Sequence, residues 1–182
     1  FPIFSICLGF ESLLIAEAGL KDLRVSIADN HHRLCRPLHE PDPLSRMFSP
    51  VPEPLKCLFS EACFQYNHIY GLPMARVAEL ANVKVTASLN WDHRVWAAGF
   101  EFENYPFFGV QFHPEAFEKP LKSNASLEEF QKHRELNREI GRCFAAKCQK
   151  VSEEGSMFEV KCFDRARVFD DIAGHWKLLV LY

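Results

Sequence analysis

The sequence predicts an α/β fold whose sheet presents chemistry at the C-terminal ends of its strands, and two stretches carry that prediction. A short apolar run, Pro2-Ile3-Phe4-Ser5-Ile6, leads into Cys7, and a helical pattern begins straight after it. Much later a buried-strand pattern, Phe107-Phe108-Gly109-Val110-Gln111-Phe112, delivers His113-Pro114-Glu115 at its C-terminal end, where open α/β sheets place their functional groups. Hydrophobic residues at 48% and charged residues at 25% are those of a globular domain. A length of 182 residues suits one ordinary domain with a substantial core.

The elements follow in order. Leu8, Leu13, Leu14, Ile15 and Ala18 outline a short helix that Gly19 is suited to end. From Lys21 to Asp29, alternation of Leu23, Val25 and Ile27 predicts a strand. Between Arg36 and Pro54 stand Pro37, Pro41, Pro43, Pro50, Pro52 and Pro54, a density that neither a helix nor a central strand survives, so a long loop is expected. Such loops often serve as binding loops or lids, with disorder as the competitor. Leu55 to Ala81 is mixed, with a helical stretch near Met74 to Leu80; Val83 to Ser88 and Val95 to Phe102 read as strands, and Asn104-Tyr105-Pro106 as a turn. Ser126-Leu127-Glu128-Glu129 fits a capping box. Behind it Phe130, Leu136, Ile140, Cys143, Phe144, Cys148 and Val151 repeat at near-helical spacing. The tail from Ser156 to Tyr182 alternates more like strands, with no role evident for it.

A formal charge of −3 gives no reason to expect nucleic acid as a partner, and charge interrupts every apolar stretch before it reaches the length of a membrane span. Seven cysteines, an odd number, leave one thiol unpaired if the others form disulfides, and their number favours an oxidising secretory compartment. They contain no C-x-x-C, which speaks against a zinc site. His31, His32 and His39 near Cys35 match no ligand spacing and read as solvated loop histidines. The sequon Asn124-Ala125-Ser126 suits a secreted protein. Because the chain opens with Phe1 inside a strand pattern, the expectation is a piece of a longer protein, with earlier strands and any signal peptide upstream.

A strand-to-helix turn is how a chain presents a nucleophile, and the helix N-terminus favours the thiolate. For an isolated cysteine, burial as a small hydrophobe is the better reading. A partner base changes that. His113, held at a strand end by Pro114, is the candidate general base, and Glu115, two residues on in an extended segment, is placed to orient the imidazole. A cysteine–histidine–carboxylate set points to acyl transfer from an amide.

At these residues the sequence resembles γ-glutamyl hydrolase, within the class I glutamine amidotransferase-like superfamily. The resemblance rests on Pro2-Ile3…Cys7-Leu8-Gly9-Phe10-Glu11 and on Tyr105 to Glu115, with Ser45-Arg46-Met47-Phe48, Asn67-His68 and Asn90-Trp91-Asp92 between them in the same order. It covers about residues 1–120 well, and the helix behind them loosely. It implies a three-layer αβα flavodoxin-like fold lacking its first strands, with residues 1–150 the C-terminal portion of the catalytic domain and 151–182 a tail without assignment. By the same resemblance Cys7 is the nucleophile, His113 the base, Glu115 and Glu11 helpers beside them, and His68 a substrate-side residue. Synthetase-coupled glutaminase domains usually carry His-Gln after Cys-Leu-Gly; here Phe10-Glu11 stands there, as in the hydrolases. The implied substrate is a folate carrying a poly-γ-glutamate tail, cut through a thioester by a Cys/His omega-peptidase. No cofactor, metal, nucleic acid or membrane is implied, a homodimer is left open, and the lysosome or the extracellular space is the expected location. An anionic tail suggests Arg46, and with it Lys119 or Lys122, as carboxylate partners.

Three departures from the family pattern stand out. Ser5 replaces the first glycine of Gly-x-Cys-x-Gly, Ala116 stands where lysine is frequent, and the glycine-rich loop that in the family supplies one oxyanion-hole N–H is expected upstream of this sequence. Two rival readings remain. One is a glutaminase domain feeding ammonia to a synthetase; the other is a catalytically inactive fragment or binding module.

Overall fold

The computed structural model describes residues 3–27, 34–39, 41–61, 64–116, 126–153 and 180–181. Its centre is a five-stranded mixed sheet. Strand β1 (Ile3–Ile6) runs into helix α1 (Leu8–Glu17), which Gly19 ends with φ 66°. The expected strand over 21–29 is shorter: only β2 (Val25–Ser26) pairs, antiparallel to β5 (Tyr70–Gly71), and Ala28 and Asp29 lie outside the described residues. A second small ribbon joins β3 (Leu34–Arg36) to β4 (Phe64–Tyr66).

The proline-rich segment between these two strands is irregular, as its composition requires, yet it is built into the core rather than lying over it. Leu38, Met47, Phe48 and Val51 are buried, and the backbone of His39 exchanges hydrogen bonds with that of Ser88 at 2.8 and 3.0 Å. Proline removes the donors a ladder needs but does not prevent the apolar side chains between prolines from packing. The one-turn helices α2 (Glu53–Lys56) and α3 (Met74–Val77) each begin after a proline, at Pro52 and Pro73.

Strands β6 (Val83–Trp91) and β7 (Arg94–Phe102) form a hairpin. Its two-residue turn puts Asp92 and His93 at φ 46° and 57°, the backbone that matches the twist of flanking strands. Strand β8 (Phe107–Val110) pairs antiparallel with β7 and parallel with β1, and β9 (Val180–Leu181) lies parallel on the other flank of β1. The order is β6-β7-β8-β1-β9. Two residues of the tail, which alternates like strands, thus enter the sheet, a place that periodicity alone did not assign. Helix α4 (Leu127–Glu153) opens with the expected capping box: the Glu129 N–H donates to Ser126 Oγ at 3.1 Å and the Ser126 N–H to Glu129 Oε2 at 2.8 Å.

Period-two alternation divides the core into two layers, one on each face of the sheet. Phe4, Ile6, Phe108 and Val110 pack towards Leu136, Ile140, Cys143 and Phe144 of α4. Phe10 and Leu14 of α1 pack with Leu72, Val77, Ala97, Phe100 and Phe102 on the other face. Helices on both faces of one sheet give the three-layer αβα architecture.

The strand that leads to Cys7 carries a buried serine, and the sheet accommodates it. Ser5 Oγ donates to the Phe108 carbonyl at 3.1 Å, and the partner of Ser5 across the ladder is Gly109. A Cβ on Gly109 would stand 2.5 Å from Ser5 Oγ and 2.3 Å from Phe100 Cε1. Gly109→Ala is therefore expected to lower stability by about 1–3 kcal/mol, read as a reduced midpoint in chemical denaturation.

Candidate active site

Cys7 occupies the single residue between β1 and α1, at φ 52° and ψ −108°. An L-residue with a side chain holds positive φ only where its surroundings enforce it. The enforcement is visible on both sides: the Cys7 N–H donates to the Val110 carbonyl at 3.0 Å, continuing the β1–β8 ladder, and its carbonyl accepts the Glu11 N–H at 3.1 Å, the first bond of α1. The thiol is half-buried and points towards the Asn67 carbonyl, with Sγ 3.8 Å from that oxygen.

The second arm of the site leaves the C-terminal end of β8. Parallel pairing of Ile6 with Val110 brings this end level with the end of β1, so His113 arrives beside Cys7 although 106 positions separate them. The Gln111 N–H still donates to Ala98 at 3.0 Å, and the His113 N–H donates to the Gln65 carbonyl at 2.8 Å, which ties the segment to β4. Nδ1 of His113 lies 2.8 Å from Glu115 Oε1. That contact takes one ring nitrogen and leaves Nε2, buried and without another hydrogen-bond partner among the described residues, for the Cys7 thiol.

Burial opposes the charged form of His113, but the hydrogen bonds with Cys7 and with Glu115, reinforced by their charges, outweigh it and push the pKa up to about 10. His68 is brought to the same place: burial lowers its pKa, a hydrogen bond to the Tyr70 carbonyl opposes the shift, and the nearby His113 charge lowers it further. Glu11, in the first turn of α1, is buried, and its Oε1 accepts from Gln111 Nε2 at 3.2 Å. Burial pushes its pKa up to about 7 against the hydrogen bond from Gln111 and the charge of Arg24.

Cys7, His113, Glu115, His68 and Glu11 therefore converge at one end of the sheet, the end where β1 and β8 finish. Arg46 does not join them. Its backbone N–H and Nε face Glu101 Oε2 at 2.9 and 3.6 Å, and its guanidinium donates to the Phe102 and Tyr105 carbonyls. Those carbonyls lie where β7 ends and β8 begins, opposite the end that carries His113. Lys119, Lys122, His31, His32, Asn124 and Ala125 lie outside the described residues. Three further contributors emerge only in the structure: Gln111, the backbone of Asn67 and the backbone of Gln65. Gln111 had a signal in the sequence, a polar residue inside an apolar strand; the two carbonyls had none. Among the described residues, no group of three or more His, Cys, Asp or Glu side chains is arranged to hold a metal ion.

The glutamine amidotransferase class-I family matches residues 1–132. The chain belongs to that family. No curated protein matches it. Among solved structures it is similar to a putative GMP synthase subunit from Thermoplasma acidophilum, at 17% identity and a TM-score of 0.44, over 84% of this chain and 61% of that one. The chain thus spans about three fifths of that protein's length. Class I membership agrees with the three-layer αβα arrangement described above.

The buried Glu11 has a consequence for stability. Folded and unfolded chains both protonate it below its ordinary pKa of 4.5; from there to about 7 the unfolded chain ionises it while the folded chain does not. Stability is therefore lost as pH rises across that window. Glu11→Gln, which keeps a hydrogen-bonding group towards Gln111, is expected to gain stability relative to the parent as pH rises from 4.5 to 7. Denaturation midpoints of the pair, measured across this range, check it.

Proposed function

We propose that this chain hydrolyses γ-glutamyl amide bonds, with folate poly-γ-glutamates as the substrate class, through a thioester on Cys7. The observation that supports the reading best is the strained Cys7 on its strand–helix turn, with the His113–Glu115 pair beside it. His113 holds the proton on Nε2, paired with the Cys7 sulfur, as sulfur attacks the γ-carbonyl, and Glu115 holds the imidazole through Nδ1. The Leu8 N–H, at the first position of α1, is one of the helix donors without an intrahelical acceptor and faces the developing oxyanion. His113 then gives its proton to the departing amine, and water, deprotonated by the same imidazole, releases the glutamyl product from sulfur.

Phe10-Glu11 after Cys-Leu-Gly favours hydrolysis of γ-glutamyl peptides over delivery of ammonia. A second reading, a glutaminase, is favoured by the family match itself. The cysteine content and the sequon support a lysosomal or secreted location as part of the proposal.

Release of glutamate from γ-glutamyl-glutamate and from a folate polyglutamate, beside hydrolysis of free glutamine, decides between the readings. Cys7→Ala and His113→Ala are each expected to lose about 1,000-fold or more in kcat/KM, and undiminished activity in either variant rejects the mechanism. Hydrolysis of glutamine alone selects the glutaminase. The His113 pKa near 10 depends in part on Glu115, so Glu115→Gln is expected to move the alkaline limb of the kcat/KM profile to lower pH.

A further inference from the structure

With Arg46 committed to Glu101, the carboxylates of a glutamyl tail need another cation, and Arg36 has the required geometry. It is the last residue of β3, and its guanidinium carbon lies 3.7 Å from the centre of the Trp91 ring. Stacking at that distance immobilises a planar fork without occupying its in-plane donors. Among the described residues, Nε of Arg36 is buried without a hydrogen-bond partner, and no carboxylate pairs with the group. By contrast, Arg24 is held by Asp22 and Arg142 by Glu135 and Glu139. A buried guanidinium donor left unpaired costs free energy, and a ligand carboxylate would satisfy it.

The stack also stands at the correct end of the sheet. Trp91 ends β6, and the hairpin it enters projects past the end of β8 from which His113 departs, because Gly99 pairs with Val110 and β7 runs antiparallel to β8. Arg36 pairs with Phe64, whose ring packs on Phe112, the neighbour of His113, at 4.6 Å between centres. Three strand spacings separate β6 from β1, which carries Cys7, roughly 14 Å, which sets the stack beyond the glutamyl unit held at Cys7 and within reach of a longer chain.

We propose that Arg36, stacked on Trp91, is a subsite that binds a carboxylate on the leaving side of the scissile γ-glutamyl bond. The proposal rests on the γ-glutamyl reading above and specifies which part of the substrate is recognised. Glutamine, whose leaving group is ammonia, has no carboxylate there. Arg36→Met, which keeps the apolar stem over the indole, is expected to raise the ratio of KM for γ-glutamyl-glutamate to KM for glutamine by about 10-fold or more. Arg36→Lys, a cation without the bidentate fork, should fall between. Arg36→Gln is measured alongside, and thermal midpoints show that each variant folds. An unchanged ratio overturns the proposal. Calorimetric titration of γ-glutamyl-glutamate into Cys7→Ser, with and without Arg36→Met, separates the two ideas if the parent turns over neither compound. Affinity lost with Arg36→Met then retains the subsite while the hydrolytic reading fails. Equal heats, or no binding in either variant, overturn the subsite.

Discussion

The parallel register between β1 and β8 is the constraint on which the site depends. Ile6 opposite Val110, extended by the Cys7 N–H on the Val110 carbonyl, sets two strand ends level. From one end the chain turns into a helix and exposes a thiol; from the other it leaves as His113-Pro114-Glu115. Because side chains alternate along a strand, a slip of one residue in this pairing would send Phe4 and Ile6 to the wrong layer. The packing of α4 against those residues and of α1 against the opposite face therefore secures the placing of Cys7 and His113 as well as the fold.

The site shows how such a sheet concentrates unfavourable features where they are useful. Cys7 holds positive φ, Glu11 is a buried carboxyl, and Glu115 Oε2 and Gln111 Oε1 are buried without hydrogen-bond partners among the described residues. Each would be destabilising in an ordinary core. Together they leave buried polar groups with unmet hydrogen-bonding capacity at one end of the sheet.

Much of this was legible beforehand. The helix after Cys7, the capping box at Ser126, the strands at Val83 and Val95 and the strand ending in His113 all express local periodicity or turn chemistry, which the chain carries in its own order of residues. The proline-rich segment was legible only by half: the prolines announce irregular backbone, but that Met47, Phe48 and Val51 would be buried depends on the sheet surface they meet. Arg46 illustrates the same limit. A cation in a loop looks available for an anionic substrate until the structure places Glu101 and two carbonyls around it.

The sequence by itself determined which residues were candidates for chemistry, because a cysteine, a histidine and a carboxylate stand out by type and by their positions at element ends. It also determined the class of fold, since the hydrophobic period changes visibly from strand to helix behind Cys7. Only the tertiary structure decided which of these groups meet. Cys7 reaches His113, His68 and Glu11 reach the same end, Arg46 goes to the opposite one, and Arg36 comes to rest on Trp91. Those outcomes depend on strand order and register, which arise from contacts between residues far apart in the chain and leave no local mark on the sequence.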